Sequence, residues 1–222
     1  LSVVYAVAVA ALQSDLVRRL AYVSIAQLSL VVMGLFSLTE SGWVGATVGT
    51  LSYGLTAAGL VLILGFLFDR RSTFDIKAFG GLARPMPVLA TLFALILASS
   101  MGLPIFSGFV GEVMIFSGIA QGSAARFIVA LLGAVGLAVV LFITYQRIAF
   151  GPMRIPENRG LIDIGLREKA VLVAFIVPML WIGLHPNPLL RRVEPSVLEM
   201  MRYMGDRQTQ WPDEATVLEV EP

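Results

Sequence analysis

One carboxylate stands apart from every other charge in the sequence. Of fifteen Asp and Glu, fourteen fall in polar segments, at the ends of apolar runs or near the C-terminus, whereas Glu112 lies inside the run FVGEVMIF. A charge at mid-bilayer costs on the order of 2.5 to 3.5 kcal/mol on insertion scales, so such a carboxylate needs a partner, a proton or a water-filled cavity. The chemistry this suggests is a carboxyl that gains and loses a proton during transport. Moving one charge against 100 mV costs about 2.3 kcal/mol, so the hydration or partner charge around a carrying group has to alternate by that much. The competing reading is a helix-end carboxylate that caps a helix or reaches toward headgroups, and the short stem of Glu weighs against it.

Other polar side chains interrupt apolar runs at helical spacing: Tyr22, Ser24 and Gln27 in one, Ser52, Tyr53 and Thr56 in another. Ser24 and Gln27 are three apart and Ser52 and Thr56 four apart, so each pair shares a helix face. Such groups either take part in the chemistry of the carboxyl or join packed membrane helices, for under about 2 kcal/mol each. The candidate proton-transfer set is therefore Glu112, Gln27, Tyr53, Ser24, Ser52 and Thr56. No catalytic, cofactor-binding or metal-binding residue is expected. Zero cysteines exclude disulfides, thiolate metal sites and iron–sulfur ligation in this chain, and the single histidine, His185, sits at a helix end beside Pro186 and reads as interfacial. No GxxxxGK phosphate loop and no Ser, His and Asp set occurs, which removes ATPase and hydrolase readings.

These residues need a membrane to position them. The 222 residues are 57% hydrophobic and only 14% charged, with mean hydropathy +0.84, against roughly 25% charged in soluble chains. The excess apolar area faces lipid. Sixteen Lys and Arg against fifteen Asp and Glu give a net charge of +1, so nothing points to nucleic acid. A span takes about 20 apolar residues. The expected spans are 1–12, read as the tail of a helix cut from a longer protein, then 18–38, 43–68, 86–121, 126–149 and 169–184. Segment 86–121 is interrupted by GLPIFSG, where Pro104 removes a donor and Gly102 and Gly108 permit irregular backbone. It is read as one broken helix crossing once, with its break inside the protein. Residues 187–205 suit a helix lying at the interface, and 206–222 an acidic disordered tail. Ser14 or Asp15 is expected to cap the second helix, with Arg18 and Arg19 at headgroup level. Gly45 and Gly49, and Gly118 and Gly122, form two weak GxxxG pairs, and these and other small residues are expected to let helices pack closely.

Loop charges give an orientation. Arg18, Arg19, Arg70, Arg71, Lys77, Arg84, Arg147, Arg154, Arg159, Arg167 and Lys169 fall on one side. Only Arg126, Arg191, Arg192, Arg202 and Arg207 fall on the other. The positive-inside rule puts the first side in the cytoplasm and the C-terminus outside.

Several ordered motifs carry a resemblance. ALQSDLVRRLAYVSIAQLSLVVMGLF resembles the segment with a QTD-K-RLIAYSS pattern in the antiporter-like subunits of proton-pumping respiratory complex I. YGLTAAGLVLILGFLFDRRSTFDIKAFGGLARPMPVLATLF is similar to the same family's HGL, YER and FGGL run, and MGLPIFSGFVGEVMIF to its GLP and GFVGEF motifs. ENRG, the LRE of Leu166 to Glu168, and GLHPNP resemble the final loop and last-helix exit of its subunit M, or chain 4, members.

The resemblance implies an all-α polytopic fold of fourteen membrane helices in two inverted repeats, each with a broken helix. This chain would be the C-terminal portion, from the end of the ninth helix onward. Glu112 would be the carboxylate at the exit end of a hydrated axis of lysine, histidine and glutamate, the remaining lysines and glutamate lying on earlier helices. The implied function is proton translocation in the bacterial inner membrane, coupled to quinone reduction by NADH elsewhere in the complex. Flavin, iron–sulfur clusters and quinone would be held by other subunits, and the partners would be neighbouring membrane subunits and lipid. The alternative is an ion-translocating subunit of a cation/proton antiporter, a membrane hydrogenase or a carbon-uptake complex. Three positions depart from the pattern. Gln27, in SIAQ, stands where relatives have the histidine of SVSH; Tyr53, in SYGL, stands where they have that of AHGL; Val17 replaces the lysine of QTD-K-R. Neither Gln27 nor Tyr53 charges near neutral pH as histidine does, but both can hydrogen-bond water.

Overall fold

The structure is a computed structural model that describes residues 1–152 and 156–210, with side-chain surroundings for 1–152 and 156–204. The described chain is all-α: α1 Ser2–Leu12, α2 Leu16–Leu35, α3 Glu40–Arg71, α4 Pro87–Ser100, α5 Ser107–Gly122, α6 Ala124–Phe150, α7 Leu166–Leu184 and α8 Asn187–Gln210. Short 3-10 turns occupy Ile76–Ala78 and Pro156–Gly160. Arg154 and residues 211–222, most of the acidic tail, lie outside the described residues, and α8 runs past residue 205 into the start of that stretch.

Side-chain acceptors fix the helix starts. Asp15 accepts the Arg18 N–H at the head of α2, Thr39 the Gly42 N–H at α3 and Ser123 the Arg126 N–H at α6. Because Thr39 supplies that acceptor, Glu40 to Gly42 form the first turn of α3. α3 has 32 residues, a length of about 48 Å. α2, α3 and α6 are each long and apolar enough to cross a bilayer, and α7 and α8 meet at a bend of 75°.

The interruption falls between Ser100 and Ser107. Gly102 (φ 66°) and Ile105 (φ 84°) turn the backbone left-handed around the donor-less Pro104. α4 has 14 residues and α5 has 16, about 21 and 24 Å, so each falls short of a hydrocarbon core about 30 Å thick. Both halves pack in sequence along α3. Gly59 of α3 meets Ile96 of α4, whereas further toward the start of α3 Gly49 meets Gly111 of α5 and Gly42 meets Gly118. α4 and α5 thus follow one another in the same sense, antiparallel to α3.

The α3–α5 contact has no room for side chains. A Cβ on Gly111 would stand 2.7 Å from Gly49 Cα, one on Gly118 2.5 Å from Gly42 Cα, and one on Gly45 2.5 Å from Ile115 N. Gly122 has nothing within 4 Å and takes no part. The close approach brings the face of α3 that carries Tyr53 against the first turns of α5.

One end of the bundle is tied together by its loops. Leu16 N–H donates to Phe74 O, Ile76 N–H to Ser14 O, and Leu82 and Ala83 N–H to Ile148 and Ala149 O. Asp163 accepts from Val88 and Leu89 N–H and so caps α4 from the loop that leads into α7. Arg70 donates to both oxygens of Glu168, at 3.0 and 2.8 Å. That bidentate bond holds the Glu168 carboxyl below its ordinary range.

One expectation changes. Arg18 is exposed, but Arg19 is buried inside the bundle rather than reaching out of it. It lies on the α2 face that also carries Val23 and Gln27, and carbonyls at the end of α1 accept its guanidinium hydrogens. The break is only half covered by this chain: Phe106, Ser107 and Gly108 are buried, but Leu103 is 47% and Ile105 56% exposed. Gly183 of α7 presses on Ile105 O.

Candidate functional site

Glu112 is the one buried acid among the described residues, 8% exposed. It lies in the second turn of α5, facing back over the break. Two neighbours define its setting. Tyr53 Oη donates to Glu112 Oε1 at 3.2 Å from α3. Gly102 lies beneath the other oxygen: a Cβ there would stand 2.1 Å from Oε2 and 2.7 Å from Cδ. The carboxylate therefore occupies the space of a side chain that Gly102 lacks, and the positive φ of that residue makes the same demand of the backbone.

Gln27 reaches the site from α2. Its Nε2 donates to Ser100 Oγ at 2.8 Å and to Ser100 O at 3.2 Å, and both residues are buried. Since Ser100 ends α4 two residues before Gly102, Gln27 holds the lip of the break against which Glu112 rests. Ser99 and Ser107, both buried, face each other across the break with their hydroxyl oxygens 3.5 Å apart. A polar strip runs from Gln27 through Ser100 and Gly102 to Glu112 and Tyr53, joining α2, α4, α5 and α3.

The remaining members of the expected set are placed differently. Thr56 is buried and donates to Tyr53 O in its own helix. Ser52 is buried and its Oγ has no protein partner. Ser24 is half-buried, and no hydrogen bond joins it to the strip among the described residues. Ser99, Ser100 and Ser107 were not in the set; their signal was a serine pair ending an apolar run next to GLPIFSG. His185 caps the end of α7, and no cluster of His, Asp or Glu able to hold a metal occurs among the described residues.

Chemically, this is a carboxyl removed from bulk water, hydrogen-bonded by a phenol, at a gap in a helix where backbone and hydroxyl groups are available. Comparison with known proteins gives it a context. The family model described as NADH:quinone oxidoreductase/Mrp antiporter, transmembrane, matches residues 1–138, well over half of the chain. The chain belongs to that family. It is 35% identical over 201 residues, 90% of its length, to NADH-quinone oxidoreductase subunit M of Rickettsia prowazekii (strain Madrid E), and covers 41% of that relative. It superposes with TM-score 0.84 and 26% identity on a chain of respiratory complex I from Thermus thermophilus with bound NADH, over 90% of this chain and 42% of that one. A chain of the Mrp complex from Dietzia sp. DQ12-45-1b shares the fold, with TM-score 0.79 at 20% identity over 88% of this chain. The chain thus spans about two-fifths of the length of the relatives it matches. The resemblance drawn from the GLP, GFVGE and FGGL motifs and the family agree, and the protein is an integral membrane protein with the antiporter-like all-α fold.

Proposed function

We propose that this chain is part of the proton-translocating, antiporter-like subunit M of a respiratory NADH-quinone oxidoreductase. The observation that carries this reading is Glu112: an acid buried at a helix break, held by Tyr53 and seated on Gly102, in a chain of the NADH:quinone oxidoreductase/Mrp antiporter family. Glu112 takes up and releases a proton as the hydration of the break changes. Gln27, Ser100 and Tyr53 orient water and the carboxylate without storing charge, since none of them ionises near neutral pH as histidine does. Ser52, with its free buried hydroxyl, and Ser24 and Thr56 play supporting parts at the edges of that hydrated region.

With no cysteine and one histidine, this chain contributes no redox centre, and flavin, iron–sulfur and quinone chemistry belong to other subunits. Its partners are those subunits, among them neighbouring antiporter-like ones, and lipid. The half-covered break at Leu103 and Ile105 faces further helices of the same subunit. The excess of Arg and Lys at the tied end of the bundle supports a cytoplasmic position for that end and an outer position for α8, in the bacterial inner membrane. The family's own description also spans Mrp antiporters, which supports a second reading, an ion-translocating subunit independent of NADH.

Replacement Glu112→Gln in the complete complex tests the carboxyl. Proton translocation per electron should fall while electron transfer from NADH persists; an unchanged ratio removes the proposed role. Copurification with flavin and iron–sulfur subunits distinguishes the two assemblies, and purification without them supports the second.

A further inference from the structure

Arg19 is the one buried cation among the described residues, 5% exposed. Its Nη1 donates to Thr144 Oγ1 of α6 at 2.7 Å, and its Nη2 donates to the carbonyls of Ala11, at 3.3 Å, and Gln13 at the end of α1. Its Nε is buried without a partner. No carboxylate pairs with it: the ion pairs among the described residues are Arg70 with Glu168 and Arg71 with Glu157. Arg147, on the α6 turn after Thr144, lies close enough to add to the positive field. The carbonyls at a helix C-terminus carry a partial negative charge that lets this site hold a guanidinium, but half a charge leaves the rest uncompensated toward the interior.

That interior is the path to the polar strip. Arg19, Val23 and Gln27 follow one another at four-residue spacing on one face of α2, which puts Gln27 about 12 Å further along the helix. Beside Arg19 and Val23 lies a cavity of about 30 Å³, whose lining includes Arg19 and Thr144 and the apolar side chains of Val23, Leu60, Leu64 and Leu97. Such a volume has room for about one or two water molecules, too few to span the distance to Gln27.

We propose that Arg19 is a fixed-charge proton barrier: its guanidinium and the apolar layer behind it close the route along α2 between the tied end of the bundle and the strip of Gln27, Ser100 and Glu112. A hydronium or sodium ion entering from that end meets an unpaired positive charge and then a layer that cannot solvate it, the pairing by which pores exclude protons and cations. Protons reach the strip by another way, and the break does not short-circuit the membrane. In naming what is sealed off, the proposal rests on the reading of Glu112 as the proton-handling group.

The test is passive proton leak through the complete complex in liposomes, with no NADH, under a potassium diffusion potential and with a pH dye inside. A unit charge at about 12 Å and an effective dielectric of about 20 repels a second one enough to change its occupancy about tenfold. Arg19→Gln, which keeps a donor for Thr144 and removes the charge, should raise the leak about tenfold. Arg19→Lys and Thr144→Val keep the charge and should stay near wild type. The proposal is overturned if Arg19→Gln does not leak, or if Arg19→Lys or Thr144→Val leaks as much as Arg19→Gln. It is equally overturned if neither Arg19→Gln nor Arg19→Met assembles, because Arg19 is then a structural tie between α1 and α6. A leak in Arg19→Gln beside unchanged pumping in Glu112→Gln sinks the carrier role of Glu112 and leaves the seal standing; the converse pair of results does the reverse.

Discussion

Gly102→Ala is the sharpest probe of the carboxylate's seat, because one added carbon acts on it directly. The new Cβ would be built 2.1 Å from Glu112 Oε2 and 2.7 Å from Cδ, so the carboxyl has to retreat by about 1 Å to reach ordinary contact. A retreat of that size stretches the 3.2 Å bond from Tyr53 beyond hydrogen-bonding range. The backbone adds its own cost, since φ at this residue is 66° and a Cβ in the left-handed region costs about 1 to 2 kcal/mol. Loss of the phenol bond adds about 0.5 to 1.5 kcal/mol for a neutral carboxyl and up to about 3 for a charged one. The sum is about 1.5 to 5 kcal/mol. The two terms separate in a cycle with Glu112→Ala, where there is no carboxyl to displace and only the backbone term remains. The assay is the thermal inactivation midpoint of the assembled complex for the four variants, with proton translocation per electron measured alongside. Gly102→Ala should lower both in the wild-type background and shift the midpoint less when Glu112 is already Ala. Equal shifts in the two backgrounds, or an unaltered pumping ratio, would refute the idea that Gly102 seats the carboxylate.

Three further outcomes follow from the packing. Gly118→Ala forces a methyl into Gly42 backbone and should destabilise by about 1 to 3 kcal/mol; Gly122→Ala, with open space around it, should be close to neutral, and thermal midpoints of the two compare them directly. Gln27→Leu leaves buried Ser100 without its partner and should lower the same midpoint by an amount equivalent to about 1 to 3 kcal/mol, while Gln27→Glu should retain more of it only if the added proton acceptor is tolerated beside Ser100. The Arg70–Glu168 clip should respond to acid. Because its partner holds the Glu168 carboxyl below the ordinary range, the clip's contribution is complete above that range and disappears as pH falls through the lowered value. The protection of amides 161–168, taken relative to their intrinsic exchange rates, should therefore fall only in acid and lose this dependence in Glu168→Gln; the same protection profile in both would count against the clip.

Much of the helical order could be read from sequence because hydropathy and punctuation act locally. Asp15 and Thr39 begin helices as short acceptors do, and GLPIFSG interrupts one because Pro and Gly cannot continue it. Glu112 was conspicuous for the same reason, as a charge in an apolar run. Tyr53 was named beside it, but their pairing was not legible, since Tyr53 is 59 residues away and the contact depends on the glycine contact between α3 and α5, whose register no local rule gives. Ser100 was missed because a serine near an apolar run's end looks like any other small residue. Arg19 was misread beside Arg18, although its four-residue spacing to Val23 and Gln27 was present in the sequence: two adjacent arginines point about 100° apart on a helix, and only one can follow the buried face.

The half-covered break also bears on how such a protein is made. Irregular backbone at membrane depth is stable only against protein or a watery cavity, because each unsatisfied group in hydrocarbon costs several kcal/mol. α7 and the Glu112 side chain of α5 lie against one flank of residues 101–106, but Leu103 and Ile105 are left exposed. An exposed flank of irregular backbone is therefore costly wherever it meets lipid, and a chain that reaches the bilayer before this flank is covered carries that cost until a protein surface or water takes the lipid's place.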